Sequence, residues 1–194
     1  MLPEQYLIAS EKLLHEADRL LNSLQLMHIL SRYAKEITFV GSYANRTMVW
    51  PDIDISIMLK ENNVEQFFLI GKELSQAPCI ERMLFKNEYR TRPERAGFYW
   101  GIQLVYNSNK WKIDIKALNK EDYRSEVLNI SYLKKTMSYE QRILAIAAKN
   151  KVMELTNCDR VPYGCSYHIY DRIIHRGLTS TDSIIEDMQK EGLI

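Results

Sequence analysis

Three aspartates stand at alternating positions within two apolar segments, and they are the residues best suited to chemistry. Asp52 and Asp54 are separated by one isoleucine, and Asp114 lies between Ile113 and Ile115. Because successive side chains of a β-strand point to opposite faces, this pattern places each carboxylate on the polar face of a half-buried strand. Like charges at short range raise each other's pKa unless a cation lies among them. We therefore expect a cation among these carboxylates.

The oxygen-only donor set favours Mg²⁺. No His or Cys lies near Asp52 or Asp54 in the sequence, and Mg²⁺ prefers carboxylates together with the phosphates of a substrate. The alternative is an ordinary solvated strand face, on which an Asp-x-Asp pair has no ligand. The aspartates alone do not decide between these two interpretations.

A candidate phosphate site precedes the aspartates. Residues 36–40 are typical of a short strand that ends at Gly41, and Ser42 is favoured at the start of a helix. Backbone N–H groups and the helix dipole at such a turn attract anions, and glycine permits close approach. Three further side chains supply donors: Asn45, Arg46 and Thr47. We expect a triphosphate between this turn and the cation.

The surrounding pattern predicts an α+β fold. Apolar residues at three- and four-residue steps predict two helices, or one bent helix, over residues 3–35. Strands are predicted at residues 36–40, 52–59, 80–86, 97–106 and 111–117, with a helix at 63–76 and a hairpin turn at 107–109. Helices are predicted at 121–135, 138–155, 165–175 and 179–190. We expect a mixed sheet with flanking helices in residues 1–118, followed by a helical C-terminal region in 119–194.

Composition narrows the class of protein. The chain has 194 residues, 46% hydrophobic and 26% charged, which is typical of a folded globular protein. A formal charge of +1 gives no support for nucleic-acid binding and does not exclude it. No apolar run approaches the roughly 18 residues that span a bilayer, and the first ten residues lack a leader pattern. We expect a cytoplasmic protein without a membrane partner, and its oligomeric state is not indicated.

The combined motif resembles the signature of the DNA polymerase β-like nucleotidyltransferase superfamily, in which a Gly-Ser pair precedes an Asp-x-Asp strand. The matching segments are Gly41-Ser42-Tyr43-Ala44-Asn45-Arg46-Thr47 and Pro51-Asp52-Ile53-Asp54-Ile55. Ile113-Asp114-Ile115 is similar to the segment that carries the third carboxylate, and the resemblance covers about residues 36–118. Two features differ: Arg46 stands where many members have Gly, and the spacer is slightly shorter.

The resemblance implies a two-metal transfer of a nucleoside monophosphate from an NTP to a hydroxyl, with release of pyrophosphate. Gly41 and Ser42 would hold phosphates, Asp52 and Asp54 would bridge two Mg²⁺ ions, and Asp114 would complete the site nearest the attacking hydroxyl. ATP is the expected donor, and a small molecule such as an aminoglycoside or lincosamide is the expected acceptor, which implies antibiotic resistance. The alternatives are transfer onto a protein or tRNA, as in toxin–antitoxin relatives, and a nucleotide-binding sensor without catalysis.

Charged residues near Asp114 leave further alternatives open. Lys112 and Lys116 flank it on the same face and either neutralise phosphate or pair with Asp114, and we favour the pairing. A polycationic acceptor requires an acidic wall, and the start of the next predicted helix offers one. An ordinary solvated helix start explains the same residues, which are Glu121, Asp122 and Glu126.

Overall fold

The computed structural model describes residues 3–91 and 97–194, within which the chain forms nine helices and five strands. The helices are α1 (Pro3–Ser23), α2 (Leu26–Tyr33), α3 (Gly41–Asn45), α4 (Val64–Leu74), α5 (Glu88–Thr91), α6 (Lys120–Thr136), α7 (Tyr139–Thr156), α8 (Cys165–Ile174) and α9 (Thr181–Lys190). The strands are β1 (Ala34–Val40), β2 (Asp52–Leu59), β3 (Ile80–Asn87), β4 (Gly97–Tyr106) and β5 (Asn109–Leu118). None of the helices in these ranges is long and apolar enough to cross a membrane.

The strands form one sheet in the order β1-β2-β5-β4-β3. β2 and β5 run parallel, and the other three neighbouring pairs are antiparallel, so the sheet is mixed, as predicted. The predicted hairpin is the β4–β5 pair, in which Tyr106 lies opposite Asn109. The α+β class is confirmed. The short helix α5 was not predicted from the sequence.

Local sequence explains where several helices begin and end. Of the two predicted alternatives for residues 3–35, two helices or one bent helix, the structure has two helices, divided at Gln25, whose φ of 49° lies in the left-handed region. Asn63 caps α4 by accepting a hydrogen bond from the backbone N–H of Gln66. Ser138 and Gln141 form the predicted capping box at the start of α7. These caps satisfy backbone donors that an α-helix leaves unpaired at its first turn.

The chain divides into two compact units. The unit that contains the sheet consists of residues 15–44 and 51–131. One face of the sheet is apolar: Ile113, Ile115 and Trp111 are almost completely buried. Helix α4 packs on this face, where the Trp100 indole N–H donates to the Phe67 carbonyl at 3.1 Å. The alternation that places these side chains inward places the aspartates on the opposite face.

Helix α6 covers part of that opposite, polar face. The hydroxyls of Tyr123 and Thr38 are 2.6 Å apart, and Ser56 donates a hydrogen bond to the Glu126 carboxylate. Thr38 and Ser56 are cross-strand partners on β1 and β2. Helix α6 therefore covers the sheet at Ser56, which lies two residues after Asp54 on β2.

The second unit contains the described residues up to Leu14, residues 45–50 and residues 132–194. Its apolar core joins α7, α8 and α9. Arg172 is completely buried and forms ion pairs with Asp187 at 2.8 Å and Glu191 at 2.6 Å, which link α8 to α9. The division at residue 118 that the sequence suggested remains a prediction.

Gly71 on α4 provides a test of the packing on the apolar face. A Cβ at this position would lie 2.6 Å from Trp100 Cζ2. We expect Gly71→Ala to destabilise the protein by up to about 2 kcal/mol, since overpacking outweighs the roughly 1 kcal/mol gained in helix propensity. Urea unfolding measures the change. The exposed neighbour Lys72→Ala is the control, and equal stability of the two variants would contradict this packing.

Candidate active site

The structure brings the three predicted aspartates onto one face of the sheet. In the parallel register of β2 and β5, Asp54 lies opposite Asp114 and Asp52 lies opposite Lys112. Neighbouring strands are about 4.8 Å apart, so side chains at paired positions are in direct electrostatic contact. This parallel pairing depends on the sheet order and could not be read from the spacing of the residues.

The carboxylates are more buried than the sequence predicted. Asp114 is only 8% exposed, and Asp52 and Asp54 are partly buried. Burial raises the pKa of Asp54 to about 7, the charges of Asp52 and Asp114 contribute to the increase, and the nearby Lys116 and Lys112 oppose it. The alternative of an ordinary solvated strand face is therefore wrong for these positions. Asp54 has the electrostatics of a carboxylate that lacks sufficient positive charge nearby.

Asp114 is held on both carboxylate oxygens. Lys112 Nζ lies 2.6 Å from Oδ2, and the Tyr99 hydroxyl donates to Oδ1 at 2.8 Å. Burial lowers the pKa of Lys112, but its hydrogen bond to Asp114 and the charges of Asp52 and Asp54 together raise this pKa by more. The pKa of Lys112 is therefore above its usual value. Burial and the charge of Asp114 also raise the pKa of Tyr99, which keeps its hydroxyl protonated as a donor. The structure bears out the pairing of Lys112 with Asp114 that we favoured.

A glycine makes room for Tyr99. Gly101 lies opposite Asp114 on β4, and a Cβ at Gly101 would lie 2.5 Å from the Tyr99 hydroxyl. The Tyr99 ring can therefore extend along the strand over Gly101 to reach Asp114. Sequence analysis missed Tyr99. The sequence shows that Tyr99 lies two residues before Gly101, but its contact with Asp114 depends on the register between β4 and β5.

The glycine turn after β1 lies directly against the carboxylates. Val40 pairs with Asp54, and Gly41, the next residue, has φ +64° in the left-handed region. A Cβ at Gly41 would overlap the Asp54 carboxylate oxygen, so both conformation and space require glycine here. Ser42 follows in α3 and is 9% exposed. The turn and Asp54 are thus brought together as the motif predicted.

The other predicted phosphate donors belong to the second unit. Asn45 is buried, and Arg46 is exposed. The φ of Arg46 is +58°, in the left-handed region that favours glycine, which explains why glycine suits this position in many proteins with this motif. Thr47 is completely buried, and its hydroxyl lies 2.7 Å from the Tyr170 hydroxyl and 3.2 Å from Lys149 Nζ. These contacts anchor the segment, so the Thr47 side chain does not offer a donor to solvent. Among these residues, Arg46 is the accessible donor.

Lys149 is a buried cation that sequence analysis did not identify. It is completely buried on α7, and its ammonium group donates to the Thr47 carbonyl at 3.1 Å and to Tyr170 at 2.7 Å. Within the described part of the chain, no carboxylate forms an ion pair with it. An ammonium group buried in this way requires hydrogen bonds at each donor position. Lys149 therefore fixes the segment that leads from α3 to β2.

The donor chemistry of the aspartates fits a magnesium ion. The oxygens of Asp52 and Asp54 are the hard ligands that Mg²⁺ prefers, and the raised pKa of Asp54 shows that positive charge is favourable there. Over residues 3–91 and 97–194, however, no three His, Cys, Asp or Glu side chains are grouped as a metal site. Asp114 forms an ion pair with Lys112 at 2.6 Å. The three-aspartate ligand set remains a prediction.

Searches with the sequence alone find no matching family model and no matching curated protein. Solved structures do match. A structure of the GLD-2/RNP-8 complex superposes with a TM-score of 0.56 at 16% identity, covering 90% of this chain and 64% of that chain. A noncanonical poly(A) polymerase complex, GLD-2 with GLD-3, gives 0.56 at 17% identity, covering 89% and 57%. The STING-associated c-di-GMP synthase CdnE from Capnocytophaga granulosa gives 0.50 at 12% identity, covering 87% and 60%.

These matches establish the fold. The chain shares the fold of these solved structures, a mixed sheet with flanking helices, as the sequence predicted. It spans about three fifths of the length of the chains that it matches. At these identities the likeness describes the fold alone.

The pKa of Asp54 predicts how the metal-free protein depends on pH. The folded protein retains the Asp54 proton up to about pH 7, whereas an ordinary aspartate loses it near 3.8. The folded state therefore binds more protons between these values, and its stability falls as the pH rises through this range. We expect Asp54→Asn to weaken this fall, measured by urea unfolding at pH 5 and pH 8 in a metal chelator. The exposed variant Asp159→Asn should retain it, and identical pH dependence in both variants would contradict the assignment.

Proposed function

We propose that this protein transfers a nucleoside monophosphate from an NTP to a hydroxyl group and releases pyrophosphate. One observation carries the proposal: the Gly41 turn lies against Asp54, and Asp54 faces Asp114 across two parallel strands. A backbone turn suited to phosphate and a group of carboxylates suited to a hard cation are thus adjacent. The sensor without catalysis has less support, because all three carboxylates are present.

Asp52 and Asp54 are proposed to hold Mg²⁺, with Asp114 as a third ligand. When bound, Mg²⁺ supplies a Lewis acid that stabilises phosphate charge and lowers the pKa of the attacking hydroxyl. Lys112 neutralises Asp114 through an ion pair with Oδ2 in the metal-free protein. Tyr99 orients the same carboxylate by donating a hydrogen bond to Oδ1. With Tyr99 retained, Asp114 Oδ2 is the oxygen positioned to accept the hydroxyl proton once Lys112 moves away.

The nature of the acceptor depends on the acidic residues after Asp114. Asp122 accepts a hydrogen bond from Asn119 at 2.7 Å, and Glu126 accepts one from Ser56. Only Glu121 of the suggested acidic wall is exposed. These contacts weaken the support for a polycationic small molecule, and with it for antibiotic resistance. The proposal at this point therefore specifies the acceptor only as a hydroxyl, with ATP as the first donor to test.

Nucleotide binding tests the proposed function. Thermal stability is measured with each of ATP, GTP, CTP and UTP, with and without Mg²⁺. A ligand at 100 times its Kd adds about 2.7 kcal/mol, enough to raise Tm by a few degrees. We expect stabilisation of the wild type that requires Mg²⁺, and none of the Asp52→Asn/Asp54→Asn variant.

The matched control removes two exposed charges elsewhere, in the variant Asp159→Asn/Glu186→Gln. It should respond to NTP and Mg²⁺ as the wild type does. Equal responses in the control and the Asp52→Asn/Asp54→Asn variant would show that the carboxylates are not the site. Failure of the wild type to respond to any NTP would contradict the proposed function itself.

Tyr99 should affect catalysis more than nucleotide binding. Tyr99→Phe removes the hydroxyl that orients Asp114 and keeps the ring over Gly101. We expect kcat for pyrophosphate release to fall by roughly tenfold or more, with KM for NTP changed little, because misplacement of one group chiefly affects the reacting geometry. The control is Tyr132→Phe, on an exposed ring that stacks on His175. A kcat equal to that of the control would remove Tyr99 from this role.

A further inference from the structure

The polar face of the sheet carries a row of cations beside the carboxylates. The β3–β4 register places Arg82 opposite Gln103 and Lys86 opposite Tyr99. The β4–β5 register continues these rows to Lys112 and Lys116, and it places Lys110 opposite Val105. Directly paired residues share a face of the sheet. We call this set the cationic strip: Arg82, Lys86, Lys110, Lys112 and Lys116.

The negative charge beside the strip lies at its inner end, where Asp52, Asp54 and Asp114 accompany Lys112 and Lys116. Asp114 lies within it, and Lys112 already pairs with that carboxylate. Glu81 lies at the irregularity between Ile80 and Arg82, where the alternation of β3 is interrupted. Arg82, Lys86 and Lys110 are exposed. The net charge of +1 for the whole chain therefore conceals a local positive surface.

The outer part of the strip lies beyond the proposed nucleotide. β3 is the edge strand, three strands away from β2, which carries Asp52 and Asp54. At about 4.8 Å per strand, Arg82 and Lys86 lie roughly 14 Å across the sheet from these aspartates. This separation leaves Arg82 and Lys86 available to a second, extended anion beside a triphosphate bound at Asp52 and Asp54.

We propose that the cationic strip binds the phosphodiester backbone of a single-stranded nucleic acid whose terminal hydroxyl is the acceptor. Charge complementarity favours a polymer of phosphates, because cations on β3 and on β5, at either side of β4, lead toward Asp114. Leu84, exposed between Arg82 and Lys86, offers an apolar contact that the unpaired bases of a single strand can use. Lys86 lies 4.9 Å from the Tyr99 ring centroid, which holds its ammonium group over the face.

The inference rests on the proposed function for the transfer step. The terminal hydroxyl oxygen bonds to the α-phosphorus of the NTP, and the bond from that phosphorus to the oxygen bridging to the β-phosphorus breaks. Pyrophosphate leaves with the electron pair of that bond, and Asp114 receives the hydroxyl proton. The product is a strand that is longer by one nucleotide.

Anisotropy of fluorescein-labelled ten-nucleotide RNA and DNA tests the strip directly, without catalysis. The test variant is Arg82→Gln/Lys86→Gln, and the matched control is Lys134→Gln/Lys135→Gln on exposed positions of α6. Each phosphate contact to a single strand contributes about 0.7 to the slope of log K against log salt. We expect the test variant to lose about 1.4 from that slope and to bind at least tenfold more weakly near 0.1 M salt. The RNA and DNA arms show which sugar is preferred.

Two outcomes would overturn the inference: a wild type that binds neither oligonucleotide, or a test variant that binds as the control does. The same variants are examined for stabilisation by Mg²⁺ and NTP, which the strip substitutions should leave unchanged because they lie far from Asp52 and Asp54. If stabilisation by NTP fails while oligonucleotide binding depends on Arg82 and Lys86, the proposed function fails and the nucleic-acid surface stands. If only oligonucleotide binding fails, the proposed function stands with another acceptor.

Discussion

The burial of Asp54 beside two further carboxylates, Asp52 and Asp114, is the constraint on which the rest of the site depends. Two partly buried carboxylates this close are unfavourable unless positive charge joins them. In the metal-free protein, Lys112 supplies that charge to Asp114, and Asp54 responds by retaining its proton to about pH 7. The glycine turn then fits against Asp54 only because Gly41 has no side chain. A cation is therefore the missing partner that the proposed function requires.

The second unit includes the segment that precedes β2 in the sequence. Residues 45–50 connect α3 to β2, and they are anchored by the buried Lys149 through the Thr47 carbonyl and hydroxyl. Tyr170 completes the arrangement by contacting both Lys149 and Thr47. A threonine that seemed suited to phosphate from its position thus has a structural role. The accessible donor in this segment is Arg46, in a backbone conformation that normally favours glycine.

Much of this arrangement could be predicted from the sequence, because alternation in β2 and β5 fixes which side chains share a face. The Gly41-Ser42 pair and the Asp-x-Asp spacing predicted the turn and the carboxylates that the structure brings together. Contacts that depend on strand register could not be predicted, since spacing within one strand does not reveal its neighbours. Tyr99 and the cationic strip belong to this second kind. The burial of the aspartates was also missed, because it depends on other segments of the chain, such as the Gly41 turn against Asp54 and Tyr99 beside Asp114.

Manganese binding tests whether Asp52 and Asp54 form a cation site, since Mn²⁺ is a hard, paramagnetic substitute for Mg²⁺. The free Mn²⁺ signal in electron paramagnetic resonance is titrated with protein in the presence of a non-hydrolysable ATP analogue. Each titration is corrected for Mn²⁺ bound by the analogue alone. We expect the wild type to deplete the free Mn²⁺ signal and the Asp52→Asn/Asp54→Asn variant not to deplete it. Both proteins are compared at concentrations where they remain folded. Equal depletion by the two proteins would show that the carboxylates on β2 are not the cation site.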